Sequence, residues 1–362
     1  MAETSTNRFP MPETWVQQQI RSGIVIPAHP LALTDNRKLD ERHQCALSRY
    51  YHAAGAQGMA IGVHTTQFEI RLPQHGLLKP VLELGAETVA DRDRATGRKT
   101  VLIAGICGET NQAVQEASQA RDLGYHIGMV SLAALSHASD DQLIAHCTAI
   151  ASEIPIFGFY LNPAIGGREL SREFWQRLAE IPNLMGVKVA PFDRYQSLDV
   201  IRAIAESGRS NEIALYTGND DTIMLDLLTE YSFPCGNESV RLRIVGGLLG
   251  HWACWTRRAV ELLQTCQATW KAPSLSPELL TLAMQVTDCN AALFDSRNGF
   301  RGCTAGIHYA LQQQGLLANI YCLDPEIGLS PGQQAEIDRV RTIYPHLVDN
   351  EFVQEHLDEW LK

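Results

Sequence analysis

The chain has 362 residues, enough for one large domain or two smaller ones, and its 20% charged and 45% apolar content is that of an ordinary globular protein. A formal net charge of −11 excludes a general nucleic-acid binder, which needs a basic face to neutralise phosphates, and nine cysteines without a CxxC pair read as buried, reduced thiols. The opening residues MAETSTNRFPMPETW lack the basic flank and apolar centre of a signal peptide, and no run approaches the roughly 20 apolar residues of a membrane helix, so a cytoplasmic protein with neither a membrane nor a nucleic-acid partner is expected.

In chain order, eight short apolar runs stand out: Ile24–Pro27, Gly58–Gly62, Val101–Gly105, Ile127–Ser131, Ile156–Tyr160, Leu184–Lys188, Ile213–Thr217 and Arg243–Gly246. Most are continuously apolar rather than alternating, which marks parallel strands covered on both faces. Helix-like segments lie between them. Asp40–Ala54 ends at Gly55 and Asn111–Leu123 at Gly124, both C-cap glycines. The stretch ADRDRATGRK before the third run reads as an exposed loop. Ser171 is placed to cap EFWQRLAEI, Ser197 to cap Asp199–Glu206, and Leu225–Tyr231 forms the helix after the seventh run. Gly-rich Ile244–Trp255 reads as buried strand and loop.

Eight strand–helix units predict an α/β protein, a closed (β/α)₈ (TIM) barrel, over 21–255. A doubly wound open sheet is the alternative, but the first strand leads into AHPLAL, without its Gly-rich turn. Residues 256–362, with Ser276-Pro277 and Ser330-Pro331 opening helices, predict a C-terminal helical region, and 1–20 an N-terminal extension wrapping the outside of the barrel or a partner.

Active sites of such barrels sit at the C-terminal ends of the strands. Lys188 ends the sixth run in GVKVA. Apolar surroundings disfavour its ammonium and leave a neutral amine able to attack a carbonyl. The bland reading is a structural lysine paired with a carboxylate. Tyr160 ends the fifth run, one strand–helix unit earlier, and is either a proton carrier for Lys188 or a core aromatic. Thr65 and Thr66 follow the second run and suit a carboxylate, or cap the next helix. His64 is a proton carrier or, more ordinarily, a neutral hydrogen-bonded residue. Asp220 and Asp221 read as helix caps rather than metal ligands, since no further carboxylate or histidine stands at ligand spacing.

With these residues in place the chain resembles the dihydrodipicolinate synthase and N-acetylneuraminate lyase family of class I aldolases, from about Gly23 to about Leu347. Gly186-Val187-Lys188 matches the family's GxK. Tyr160, in the order YLNP, matches its YNxP, and Thr65-Thr66 match GTTGE. Gly218–Asp221 match its glycine-aspartate turn. The resemblance implies that Lys188 forms a Schiff base with pyruvate or a related 2-keto acid and that Tyr160 relays the proton. Thr65, Thr66, His64, Gly186 and Gly246 complete the expected substrate-binding set. Neither metal nor organic cofactor is implied, and the assembly would be a homo-oligomer, a tetramer or dimer.

The departures narrow this expectation. Gln67 and Phe68 replace the last two residues of GTTGE, Ala133 and Ala134 stand where the synthase has a relay tyrosine, and Ile165 stands where it carries an arginine, with Arg168 three positions on. The expected activity is therefore a 2-keto acid aldolase or lyase other than authentic dihydrodipicolinate synthase. A sugar-acid dehydratase using the same imine, or an impaired barrel that only binds ligand, are the alternatives.

Overall fold

The computed structural model describes residues 9–362. Helix α1 (Thr14–Ser22) precedes strand β1 (Val25–Pro27), and then strands and helices alternate. They run α2 (Glu41–Ala54), β2 (Gly58–Ile61), α3 (Leu78–Thr96), β3 (Val101–Ile106), α4 (Thr110–Asp122), β4 (Ile127–Val130), α5 (Asp140–Ala151), β5 (Ile156–Leu161), α6 (Arg172–Leu178), β6 (Leu184–Ala190), α7 (Arg194–Glu206), β7 (Ala214–Thr217) and α8 (Ile223–Leu228). A hairpin of β8 (Glu230–Cys235) and β9 (Glu238–Leu249) follows, and α9 (Thr256–Thr269), α10 (Glu278–Leu293), α11 (Cys303–Gln313), α12 (Gln333–Ile343) and α13 (Asn350–Trp360) complete the chain.

The parallel sheet runs β1-β9-β7-β6-β5-β4-β3-β2, and a parallel bridge from Ala28 to Ala60 joins its two ends. This is the expected (β/α)₈ barrel, with β9 as its eighth strand. Ile24, Ile103, Ile127, Phe157, Tyr216 and Leu248 fill the interior, whereas a second, larger apolar cluster lies between strands and helices. Both faces of β1 to β7 and of the last residues of β9 are buried along nearly their whole length, which is why these runs are continuously apolar.

Several local expectations hold. Asp40 caps α2 by accepting from His43 N at 3.1 Å, and Gly55 ends it at φ +99°. Ser171 caps α6 through Phe174 N at 3.0 Å. All nine cysteines are free.

Others are corrected. Most of the charged stretch after Val89 is not a loop but the last turns of α3, whose exposed face the charges solvate; only its Gly97 to Lys99 belong to the connection to β3. Asp193 rather than Ser197 caps α7, accepting from Gln196 N, and Ser197 lies within the helix. Tyr231 belongs to β8, which pairs antiparallel with the first half of β9.

The expected boundaries also shift. Of the N-terminal extension, the first eight residues lie outside the described ones. The rest does not wrap the outside: Val16 and Ile20 of α1 are fully buried in the barrel's interior cluster and close its N-terminal end. Helix α9 packs between α8 and α2 and completes the outer ring, so a division at residue 255 cuts the barrel. The segment beyond α9 is an addition, and α10 and α11 bring residues to the barrel's other end.

Candidate active site

The C-terminal ends of the strands surround a pocket of about 700 Å³ including its open mouth. At its base the side chain of Lys188 leaves β6 toward the barrel axis. Its ammonium nitrogen lies 4.6 Å from the centre of the Phe159 ring. Burial pushes the lysine below its ordinary value, and the charge of Asp220 opposes that push. Asp220 is the one carboxylate among the described lining residues, and its Oδ1 accepts from His251 N at 3.1 Å. Burial raises this carboxyl above the usual range, while Lys188 and the His251 amide hold it down. The pair thus shares the pocket's base, where each group's charge supports the other against the cost of burial.

His64 lines the same wall. Burial, helped by the nearby lysine, lowers its imidazole to about 4, so it is neutral at ordinary pH. Thr65 also lines the pocket, and its hydroxyl donates to the carbonyl of Ala28 at 2.8 Å. Thr66 stands behind it. Its hydroxyl donates to His29 O at 2.6 Å and accepts from Gly62 N at 3.0 Å, so it braces the loop and does not line the pocket.

Gln67, in the glycine position of the resembled motif, adopts φ +66°, a conformation that favours glycine. Its side chain compensates by accepting from Leu323 N at 2.7 Å, which ties this loop to the C-terminal segment.

Besides Thr66, three expected site residues are not brought to the pocket. Tyr160 faces outward from β5. Its neighbours Phe159 and Leu161 line the pocket, and alternation along a strand sends the residue between them to the other face. There it is 1% exposed, packs its ring 5.4 Å from that of Trp175, and accepts from Leu170 N at 3.3 Å. It is the core aromatic, not the proton carrier.

Gly186 sits midway along β6, where a Cβ would fall 2.6 Å from the Phe157 ring and 2.7 Å from Ala214 O; it makes room inside the barrel. Gly246 is likewise mid-strand, because β9 runs three residues further than expected. A Cβ there would meet Ile24 O and the Tyr216 ring near the closed end. Gly250, just past β9, lines the pocket instead.

The sequence reading also missed several lining residues. Phe294 follows α10, and Phe300 and Cys303 come from the start of the next helical segment. Phe192, after β6, has φ +57° and is held by its amide donating to Asn219 Oδ1 at 3.0 Å. Asn219 in turn donates to Asp226, which also accepts from Thr217 and pairs with Arg194. Only the glycine-aspartate turn gave a signal in sequence. The aromatic residues carry no motif. Arg168 points elsewhere, donating to the carbonyls of Leu135 and Ala138 at 2.6 and 2.9 Å. Among the described residues no group of three or more His, Cys, Asp or Glu side chains is arranged to hold a metal, and no helix is long and apolar enough to cross a membrane.

Fold and pocket together define a (β/α)₈ barrel with a half-buried lysine at the base of a pocket among the C-terminal ends of its strands. The family model of the dihydrodipicolinate synthetase family matches residues 86–236. The 4-hydroxy-tetrahydrodipicolinate synthase of Laribacter hongkongensis is 28% identical over 149 residues, 41% of this chain and 47% of that protein. The chain spans about half the length of the curated relatives it matches.

Among solved structures, the chloride-inhibited dihydrodipicolinate synthase from Acinetobacter baumannii, complexed with pyruvate, superposes with a TM-score of 0.70 at 19% identity, covering 89% of this chain and 98% of that one. The pyruvate complex of N-acetylneuraminate lyase from Fusobacterium nucleatum gives 0.69 at 16%, covering 91% and 99%. Over residues 86–236 the chain is similar to the dihydrodipicolinate synthetase family, and its barrel is that of these solved structures, at a distance that marks it as divergent.

Proposed function

We propose that this protein is a class I aldolase or lyase in which Lys188 forms a Schiff base with pyruvate or a related 2-keto acid. The observation that carries this is the position of Lys188: a half-buried amine, held below its ordinary pKa, at the base of an open pocket where strand ends meet. A neutral amine there attacks C2 of the keto acid, and loss of water from the carbinolamine leaves an iminium that stabilises a carbanion at C3. Asp220 is the group assigned to hold or move the proton, because its raised carboxyl shares the pocket with the amine. Thr65 marks the wall assigned to the carboxylate, and His64 is the neutral hydrogen-bonding partner beside it.

The relatives' pyruvate complexes support a 2-keto acid as ligand. The absence of arginine among the described lining residues, with Ile165 in the expected place, argues against authentic dihydrodipicolinate synthase activity. A dehydratase acting on a 2-keto sugar acid through the same imine remains the alternative chemistry. A second reading, a barrel that binds the keto acid without turnover, draws on Leu161 lining the pocket while Tyr160 faces away. The chain would work as a cytoplasmic homo-oligomer, a dimer or tetramer, as the family resemblance implies.

Incubation with pyruvate, borohydride reduction and peptide mass spectrometry test the proposal. A reduced adduct on Lys188, absent from Lys188→Ala, is expected. No adduct with pyruvate or a panel of 2-keto acids overturns it, and an adduct without turnover of any partner favours the second reading.

A further inference from the structure

We infer that the second substrate of this site is an aldehyde with an apolar group of aromatic size, rather than a charged or polyhydroxylated one. The inference rests on the Schiff-base reading and adds the partner that the imine meets.

The polar groups of the pocket are concentrated at its base, where His64, Thr65 and Asp220 accompany Lys188. The remaining wall is apolar apart from Asn162 and the Cys303 thiol, and neither carries a charge. Phe192 and Phe300 meet edge to face with ring centres 5.8 Å apart and planes at 81°, and Leu161, Ile165 and Phe294 line the pocket with them. These walls are built rather than incidental. Phe192 is fixed by its bond to Asn219, and Phe294 packs onto the end of β9, where a Cβ on Gly250 would lie 2.8 Å from its ring. Phe300 is set by a backbone at φ +65° whose amide donates to Asp295 O at 3.1 Å.

Apart from Lys188, the described lining residues include neither lysine nor arginine, and Arg168 is committed to backbone carbonyls. A carboxylate, ammonium or hydroxyl row on the incoming aldehyde would lose water against these rings with no charged partner and Asn162 as the one amide on that wall, at about tenfold or more in affinity for each group left unpaired. An aromatic ring would instead gain edge-to-face contacts.

The step balances with groups already named. Removal of a C3 proton turns the iminium into an enamine. Its C3 bonds to the aldehyde carbon, the carbonyl electron pair moves to the oxygen, and that oxygen takes a proton. Water then hydrolyses the iminium and restores the Lys188 amine. The product is a 4-hydroxy-2-keto acid with the apolar group on C4.

The test uses the full-length protein. The borohydride adduct with pyruvate is measured first. Turnover is then followed with pyruvate plus benzaldehyde and, separately, pyruvate plus glyceraldehyde. The expected result is a kcat/KM at least tenfold higher for benzaldehyde, with that ratio collapsing in Phe300→Ser and shrinking in the milder Phe192→Leu. An adduct with equal or better use of glyceraldehyde, or with no use of either aldehyde, overturns this inference and leaves the Schiff base standing. Absence of the adduct itself overturns the Schiff-base reading and this inference with it.

Discussion

The side chain of Lys188 runs across Gly218: a Cβ on that glycine would lie 2.5 Å from the lysine's Cε. It would also lie 2.7 Å from the Cβ of Ala190, an atom carried by the backbone of β6, so the added carbon would press on the strand as well as on the lysine. Gly218 therefore sets where the amine sits. Gly218→Ala should slow borohydride-trapped adduct formation at least about tenfold, because a misplaced nucleophile loses its attack geometry. Circular dichroism should show the barrel intact. An unchanged trapping rate would show that the lysine repositions without cost.

Asp220→Asn should move the pH profile of adduct formation to lower pH. Burial lowers the Lys188 pKa and the Asp220 charge raises it, so removing the charge leaves burial unopposed. The neutral, reactive amine then predominates from a lower pH upward. Trapping rates measured across a pH series check this, and a shift to higher pH contradicts it. The same substitution should reduce turnover about 10²-fold or more if Asp220 carries the proton.

Tyr160→Phe separates the relay from the core aromatic. The phenol accepts one backbone hydrogen bond behind β5 and does not line the pocket. The variant should lose about 1 kcal/mol of stability to denaturant and keep trapping and turnover within about threefold, whereas loss of a true general acid or base costs about 10²-fold or more. A fall of that size would return Tyr160 to the mechanism.

Gln67 offers a stability comparison. Gln67→Ala keeps the backbone strain at φ +66° and loses the acceptor for Leu323 N, while Gln67→Gly loses the acceptor but relieves the strain. The glycine variant should be more stable than the alanine variant by about 1 kcal/mol. Equal urea midpoints would mean that the strain is not stored there.

His64 reports on the lysine's charge. Burial and Lys188 together lower its imidazole to about 4. In Lys188→Ala the second cause disappears and the first remains, so the titration midpoint should rise yet stay below 6.5. NMR titration of the ring protons measures it directly. Because the folded value lies below the ordinary one, protonation of His64 opposes folding. Its penalty appears as pH falls below about 6.5 and stops growing once pH is below about 4, and it should be smaller in the variant.

By itself the sequence determined the architecture and the position of the key amine. Continuous apolar runs at the spacing of strand–helix units can be satisfied by parallel strands covered on both faces, and a lysine at the end of such a run has no polar neighbour along its own strand. The same continuity hid which way each side chain points. When both faces of a strand are buried, alternation leaves no trace in the pattern, so Tyr160 and Leu161 cannot be told apart as outward and inward.

Only the tertiary structure placed Tyr160 against Trp175, carried β9 on to Leu249 so that Gly246 falls inside the barrel, and brought Phe294, Phe300 and Cys303 to the mouth from beyond the barrel's last helix. Asp220 shows the limit most clearly. In sequence it is an ordinary turn aspartate, and its raised carboxyl comes from burial beside Lys188 in the assembled pocket. Local spacing fixed where the amine would be. What surrounds it depends on segments distant in the chain, whose meeting is decided by packing.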